Sequence, residues 1–163
     1  MISEKSLAAF AKEVAKYPTE QRQSAVMACL QIVQQELGFV SPESERLVAD
    51  YLGMAPIAVH EVTSFYNMYN QKPTGKYKFN VCTNLPCQLR QGAQAMEHLK
   101  SKLGIESNQT TPDGLFTLQE CECLGACADS PVMLVNDTNM CSFMTDEKLD
   151  QLVDGLRAME VKS

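Results

Sequence analysis

No run of lysines or arginines occurs anywhere in the 163 residues, and 20 acidic against 14 basic side chains leave a formal charge of −6. A polyanion finds no cationic surface on such a chain, so nucleic acid is not an expected partner. Equally absent is an apolar stretch of transmembrane length. The start, Met1-Ile2-Ser3-Glu4-Lys5, leads into a charge-broken helix rather than an apolar leader, so neither export nor direct membrane insertion is expected. There is no P-loop, dinucleotide fingerprint or acid–base pair, and alone the chain is expected to bind neither nicotinamide nor flavin and to catalyse nothing. Internal repeats and low-complexity tracts are missing too.

What the chain does have is 45% apolar residues, enough for a real core, and seven cysteines. An odd cysteine count without an export signal points to a reducing compartment, cytosolic or matrix-side. There, thiols serve metals or redox chemistry rather than structural disulfides.

The first seventy residues read as successive helices. Leu7, Phe10, Ala11 and Val14 form an amphipathic stripe that stops at Tyr17-Pro18, and the proline opens a second helix striped by Val26, Leu30, Val33 and Leu37 and stopped by Gly38. Ser41-Pro42-Glu43 starts a third, through Leu47, Val48, Tyr51 and Leu52 to Gly53. A fourth runs from Pro56 to Phe65 with Ile57, Val59, Val62 and Phe65 inward, followed by Tyr66 and Tyr69 as core aromatics. The polar segment Asn70–Gly75 marks a boundary, giving a helical region 1–72 and a second region 73–163.

Beyond it, Tyr77–Val81 alternates as a strand that delivers Cys82, and Leu89, Ala93, Met96, Leu99 and Leu103 trace a helix. Further strands are expected at Leu115–Leu118, Pro131–Val135 and about Asn139–Phe143, and Thr145-Asp146-Glu147 caps a last helix. The fold class is therefore α+β: an N-terminal helical bundle followed by a thioredoxin-like α/β domain with a half-open sheet, its cysteine loops projecting at one end.

Those loops are Cys82-Thr83-Asn84-Leu85-Pro86-Cys87 and Cys123-Leu124-Gly125-Ala126-Cys127. Two thiolates from each suit a two-iron, two-sulfide cluster, which needs two per iron. They suit a tetrahedral structural zinc as well, and spacing leaves both open. Thiol–disulfide catalysis is disfavoured, since no Cys-x-x-Cys stands at the strand–helix junction. Leu85-Pro86 stiffens the first loop, and Gly125 lets the second loop's backbone come close to sulfide, with N–H groups of both loops available to sulfur. Cys121 lies two residues before Cys123, on the same face of an extended strand, so spacing does not exclude it as a ligand. Cys29 and Cys141 have no partner at metal-binding spacing and read as buried thiols, the methionines as core filler, and His60 and His98 as structural.

Glu122-Cys123-Leu124-Gly125-Ala126-Cys127, with Cys82-x-x-x-x-Cys87, resembles the thioredoxin-like two-iron ferredoxins of the NADH-dehydrogenase arm of respiratory complex I. The resemblance extends through Val48–Met54, Val62–Tyr66 and Pro131–Asn136, nearly the whole chain. It implies Cys82, Cys87, Cys123 and Cys127 as ligands of one [2Fe-2S] cluster, in place of both zinc and Cys121. It also implies a partner subunit holding flavin mononucleotide, the NADH site and a further iron–sulfur cluster, with residues 1–72 docking to it. The cluster then exchanges one electron with the flavin, to one side of the main path to quinone, on the cytoplasmic face of the inner membrane. Equivalent subunits of NAD-linked hydrogenases and formate dehydrogenases share these ligands. Two departures stand out: the extra thiol of Cys121, and Asn139–Phe143, where many relatives are richer in tyrosine.

Overall fold

The computed structural model describes residues 2–160, in two compact units, one ending at Pro73 and the other starting at Thr74. In the first, the Ser3 hydroxyl accepts from the Ser6 N–H and caps α1 (Glu4–Val14), with Glu4 at the positive dipole end. Phe10 is fully buried while Leu7 is exposed, so the expected stripe is narrower than its pattern. Pro18 opens not an α-helix but a 3₁₀ segment, Thr19–Ala25. The polar run Thr19–Ser24 has no apolar face to bury and stays in tight turns until α2 (Val26–Leu37) begins.

Val26, Leu30 and Val33 line the core, with Cys29 between them, whereas Leu37 is exposed beside Gly38, whose φ of 82° ends the helix. Ser41 caps α3 (Pro42–Leu52) through the Ser44 N–H, and Gly53 ends it. α4 (Pro56–Phe65) has the expected bounds but a different face. Val59 is buried while Ile57 and Phe65 are exposed, and Tyr66 meets Phe65 edge-on at 5.0 Å rather than joining the core. Tyr69 is the core aromatic, its hydroxyl donating to the Met27 carbonyl at 2.9 Å. His60 Nδ1 lies 3.1 Å from the Glu45 carboxylate, within hydrogen-bonding distance.

The second unit is a five-stranded sheet in the order β2-β3-β1-β4-β5, formed by β1 (Tyr77–Cys82), β2 (Gln109–Thr110), β3 (Phe116–Cys121), β4 (Met133–Val135) and β5 (Asn139–Cys141). β1 and β3 run parallel and the other neighbours antiparallel. The two-residue β2 is too short for any periodicity to reveal. The helix expected from Leu89 begins only at Gly92, as α6 (Gly92–Leu103), after a separate turn α5 (Leu85–Gln88), because Gln91 takes a φ of 70° between them. Leu89 and Ala93 are accordingly exposed, and Gly92 and Ala95 take the inner positions.

Phe79, Val81, Phe116, Leu118 and Met133 form one core with Met96 and Leu99 of α6 and with Leu149 and Val153 of α7 (Asp146–Glu160). Both helices therefore cover the same face of the sheet. Strand alternation sends Lys78, Asn80 and Cys82 to the opposite face. Lys78 is 3% exposed along its side chain and sits 2.6 Å from Asp137, which also accepts from the Asn80 amide at 2.5 Å. Asn136 and Asp137 hold that position with φ of 53° and 60° in the β4–β5 turn, a conformation Asn and Asp tolerate. His98 bonds Asp150 at 3.0 Å and ties α6 to α7.

Candidate metal centre

β1 delivers Cys82 at its C-terminal end, where the parallel register sets it beside Cys121 of β3. The Cys82 N–H donates to the Val132 carbonyl at 3.1 Å and the Thr83 N–H to the Cys121 carbonyl at 3.3 Å, so the loop leaves the sheet with its backbone satisfied. Pro86, in the first turn of α5, needs no intrahelical N–H partner there, and the single turn places Cys87 inward. Cys82 and Cys87 are each 1% exposed, in an apolar pocket with Val132, Leu124 and Ala126. Gly92 closes that pocket from behind. A Cβ there would lie 2.9 Å from the Cys82 oxygen and from the Cys87 carbonyl carbon and oxygen.

The second loop is looser. Cys123 is exposed and Cys127 half-buried at the start of a 3₁₀ turn, Cys127–Asp129. Gly125 has a φ of 74° and gives its N–H to Cys123 Sγ at 3.4 Å. Cys82 interacts with Cys87 and Cys127 with Cys123, and the charge of Cys82 also reaches Cys127 across the loops. Burial pushes the Cys82 thiol up, and the amides of Asn84 and Leu124, one from each loop, hydrogen-bond its sulfur and oppose that shift. Cys127 is raised chiefly by its hydrogen bond with Cys123. Among the described residues, no three His, Cys, Asp or Glu side chains converge on a point for a single ion. Four thiols in two pairs, amide donors to sulfur and an apolar wall fit the two-per-iron demand of a two-iron cluster.

Cys121 packs on the first-loop side, where burial and then the charges of Cys82 and Cys87 push it up to about 12. Cys123 is the thiol that meets Cys127. Cys29 lies in the helical unit, raised to about 11 by burial and by Glu13, and Cys141 is half-buried in β5 opposite Met133. Sequence reasoning missed Ser130. Its hydroxyl donates to the Cys127 carbonyl at 2.8 Å and lies 3.1 Å from Cys87 Sγ, joining the two loops. A serine three residues after Cys127 was the only available sign.

Comparison with known proteins agrees with this geometry. The thioredoxin-like [2Fe-2S] ferredoxin family matches residues 10–157. Over 144 residues the chain is 44% identical to NADH-quinone oxidoreductase subunit 2 of Thermus thermophilus, covering 88% of this chain and 80% of that protein. It is 41% identical over 154 residues to the mitochondrial NADH dehydrogenase [ubiquinone] flavoprotein 2 of Dictyostelium discoideum, covering 92% and 62%. With an NADH-quinone oxidoreductase subunit of Rickettsia bellii the identity is 40% over 145 residues, covering 88% and 86%. In three dimensions it is similar to a chain of an NAD⁺-reducing [NiFe]-hydrogenase in the air-oxidized state, with a TM-score of 0.71 and 18% identity over 83% of this chain. That is a likeness of fold, and this chain spans 23% of the hydrogenase chain's length. A family match over nearly the whole sequence and relatives at such identity leave the zinc alternative without support: the chain belongs to the thioredoxin-like [2Fe-2S] ferredoxin family.

Proposed function

We propose that this chain is the [2Fe-2S] electron-transfer subunit of the NADH-dehydrogenase module of a respiratory complex I, with Cys82 and Cys87 on one iron and Cys123 and Cys127 on the other. The observation that carries this reading is the interaction of Cys82 with Cys87 and of Cys123 with Cys127 in the two loops that follow the adjacent ends of parallel β1 and β3. When bound, the cluster supplies a one-electron couple. The chain's own residues set its surroundings. The amides of Asn84, Leu124 and Gly125 favour negative charge on sulfur, and Val132, Leu124 and Ala126 keep water from the first-loop thiols. Loading requires the thiols to release protons, so metal uptake strengthens as pH rises.

The partner in this reading is a flavin- and NADH-binding subunit. Phe65 is 80% exposed in the helical unit, with Ile57 and Tyr66 also exposed, and Leu85 and Leu89 are exposed around Cys87. Apolar side chains of that size in solvent favour burial against another protein. In this reading the chain is peripheral, on the cytoplasmic side of the membrane; among the described residues no helix is long and apolar enough to cross one. Relatives named as quinone oxidoreductase subunits, at 39–44% identity, favour complex I over the hydrogenase, whose likeness is in fold alone.

The test is electron paramagnetic resonance of anaerobically purified protein before and after dithionite, with iron and acid-labile sulfide counted on the same sample. A rhombic signal appearing only on reduction, with iron and sulfide equal, is the expected result. A silent protein that binds zinc after anaerobic reconstitution overturns it. Temporary storage of a flavin electron is part of the same proposal; complexes with and without the cluster that release equal peroxide would overturn that part.

A further inference from the structure

Ser130 is 3% exposed, and its hydroxyl lies between the two cysteine loops. A free thiol at Cys87 has a proton to give, and with the serine hydroxyl donating to the Cys127 carbonyl at 2.8 Å the three groups form a continuous relay from sulfur to carbonyl. A metal-bound cysteine has lost that proton and can only accept. If the hydroxyl still pointed at Cys127, lone pairs of Ser130 Oγ and Cys87 Sγ would face each other across 3.1 Å in a site closed to solvent. Rotation about the serine C–O bond removes the conflict. It leaves no buried acceptor unserved, because the Ser130 backbone N–H also reaches the Cys127 carbonyl, at 3.4 Å.

We propose that Ser130 is a hydrogen-bond donor that changes acceptor on metal loading, turning from the Cys127 carbonyl to the Cys87 sulfur and there favouring the reduced cluster. This rests on the ligand assignment given above. Charge arriving on reduction spreads over the coordinating sulfurs, so a donor fixed at one of them interacts more strongly with the reduced state and raises the midpoint potential. Ser130 is a positioning residue here. It binds neither iron nor sulfide, and it makes the first iron's environment depend on the second loop's conformation.

The experiment compares wild type, Ser130→Ala and Ser130→Thr, purified anaerobically with cluster, by redox titration followed by electron paramagnetic resonance, with iron and sulfide counted on each. The alanine variant should titrate at a lower midpoint than wild type, and the threonine variant, which keeps the hydroxyl, close to it. An alanine variant with full iron and sulfide and an unchanged or higher midpoint overturns the proposal. Wild type lacking stoichiometric iron and sulfide would instead overturn the ligand assignment. Resonance Raman of wild type loaded in H₂O and in D₂O can overturn the proposal even if the alanine protein does not retain metal: iron–cysteinyl bands insensitive to D₂O exclude the donated O–H. Because the amides of Asn84, Leu124 and Gly125 exchange as well, a shift counts as support where it is larger than in a variant without the hydroxyl.

Discussion

Cys82 and Cys87 are fixed between the end of a central strand and a turn of helix, whereas Cys123 is exposed and Cys127 half-buried in a loop with only a 3₁₀ turn. The first loop is an extension of the sheet's core, its backbone satisfied by Val132 and Cys121 and pressed by Gly92. The second owes its shape to Gly125, to local bonds and to donors from Arg90 and Phe143 on the carbonyls of Ala128 and Asp129. The first pair is thus buried at the end of the sheet, and the second pair lies nearer the surface. Disturbance of the sheet should reach the first pair directly, and disturbance of the second loop should reach it only through Ser130 and the Leu124 amide.

The largest expected effect lies on the strand that carries the first loop. Asp137→Ala removes the carboxylate from the ammonium of nearly buried Lys78 and should cost about 3 kcal/mol, the lower end for breaking a buried pair, since Asp137 is itself partly exposed. Urea unfolding of the metal-free protein measures it, and a loss below about 0.5 kcal/mol, the scale of a surface pair, would show that the pair supports nothing.

Next come the two glycines. Gly92→Ala places a methyl against three backbone atoms of the first loop and should cost about 1–3 kcal/mol and most of the bound iron. Gly125→Ala meets nothing within 4 Å and carries only the strain of a positive φ, roughly 1–2 kcal/mol, with iron retained. Equal iron contents in the two variants would erase the distinction between the loops.

A smaller effect is kinetic. In the metal-free protein at pH 8, iodoacetamide should label Cys123 first and Cys82 and Cys87 last, with Cys121 slow because its thiol is pushed up to about 12. Peptide mapping over time gives the order, and early labelling of Cys82 would mean that the first loop opens freely.

The smallest concerns Cys29, a buried thiol in the helical unit. Its value rises on folding from 9.0 to about 11, mainly through burial. Its contribution to stability is complete below about pH 9 and is lost as pH climbs toward 11. Unfolding midpoints of wild type and Cys29→Ala across that window should converge at the alkaline end; parallel curves would exclude Cys29 as a cause of alkaline instability.

The cysteine spacing was legible because metal chemistry constrains it tightly, and α3 and α4 were legible because Ser41, Pro42, Gly53 and Pro56 punctuate them. The exposure of Ile57, Phe65 and Leu89 was not, since an apolar pattern says that a face seeks burial without saying against what. Spacing also left Cys121 and Cys123 unresolved. The pairing that sets Cys121 beside Cys82 joins residues remote in sequence and leaves no mark on the spacing. The break at Gln91 and the bridging hydroxyl of Ser130 are likewise tertiary effects with no periodic signal.

The Cys82–Cys121 pairing also bears on biogenesis. In the proposed assignment, before β1 closes on β3 the chain presents two separate cysteine pairs, neither able alone to supply four thiolates to a two-iron unit. Parallel strands so far apart in sequence close late, because the intervening segment must first surrender its conformational entropy. In the proposed assignment, iron and sulfide are then best received by an already folded apoprotein, entering from the side of the more exposed second loop. Premature metal capture on a nascent chain would favour mononuclear dead ends.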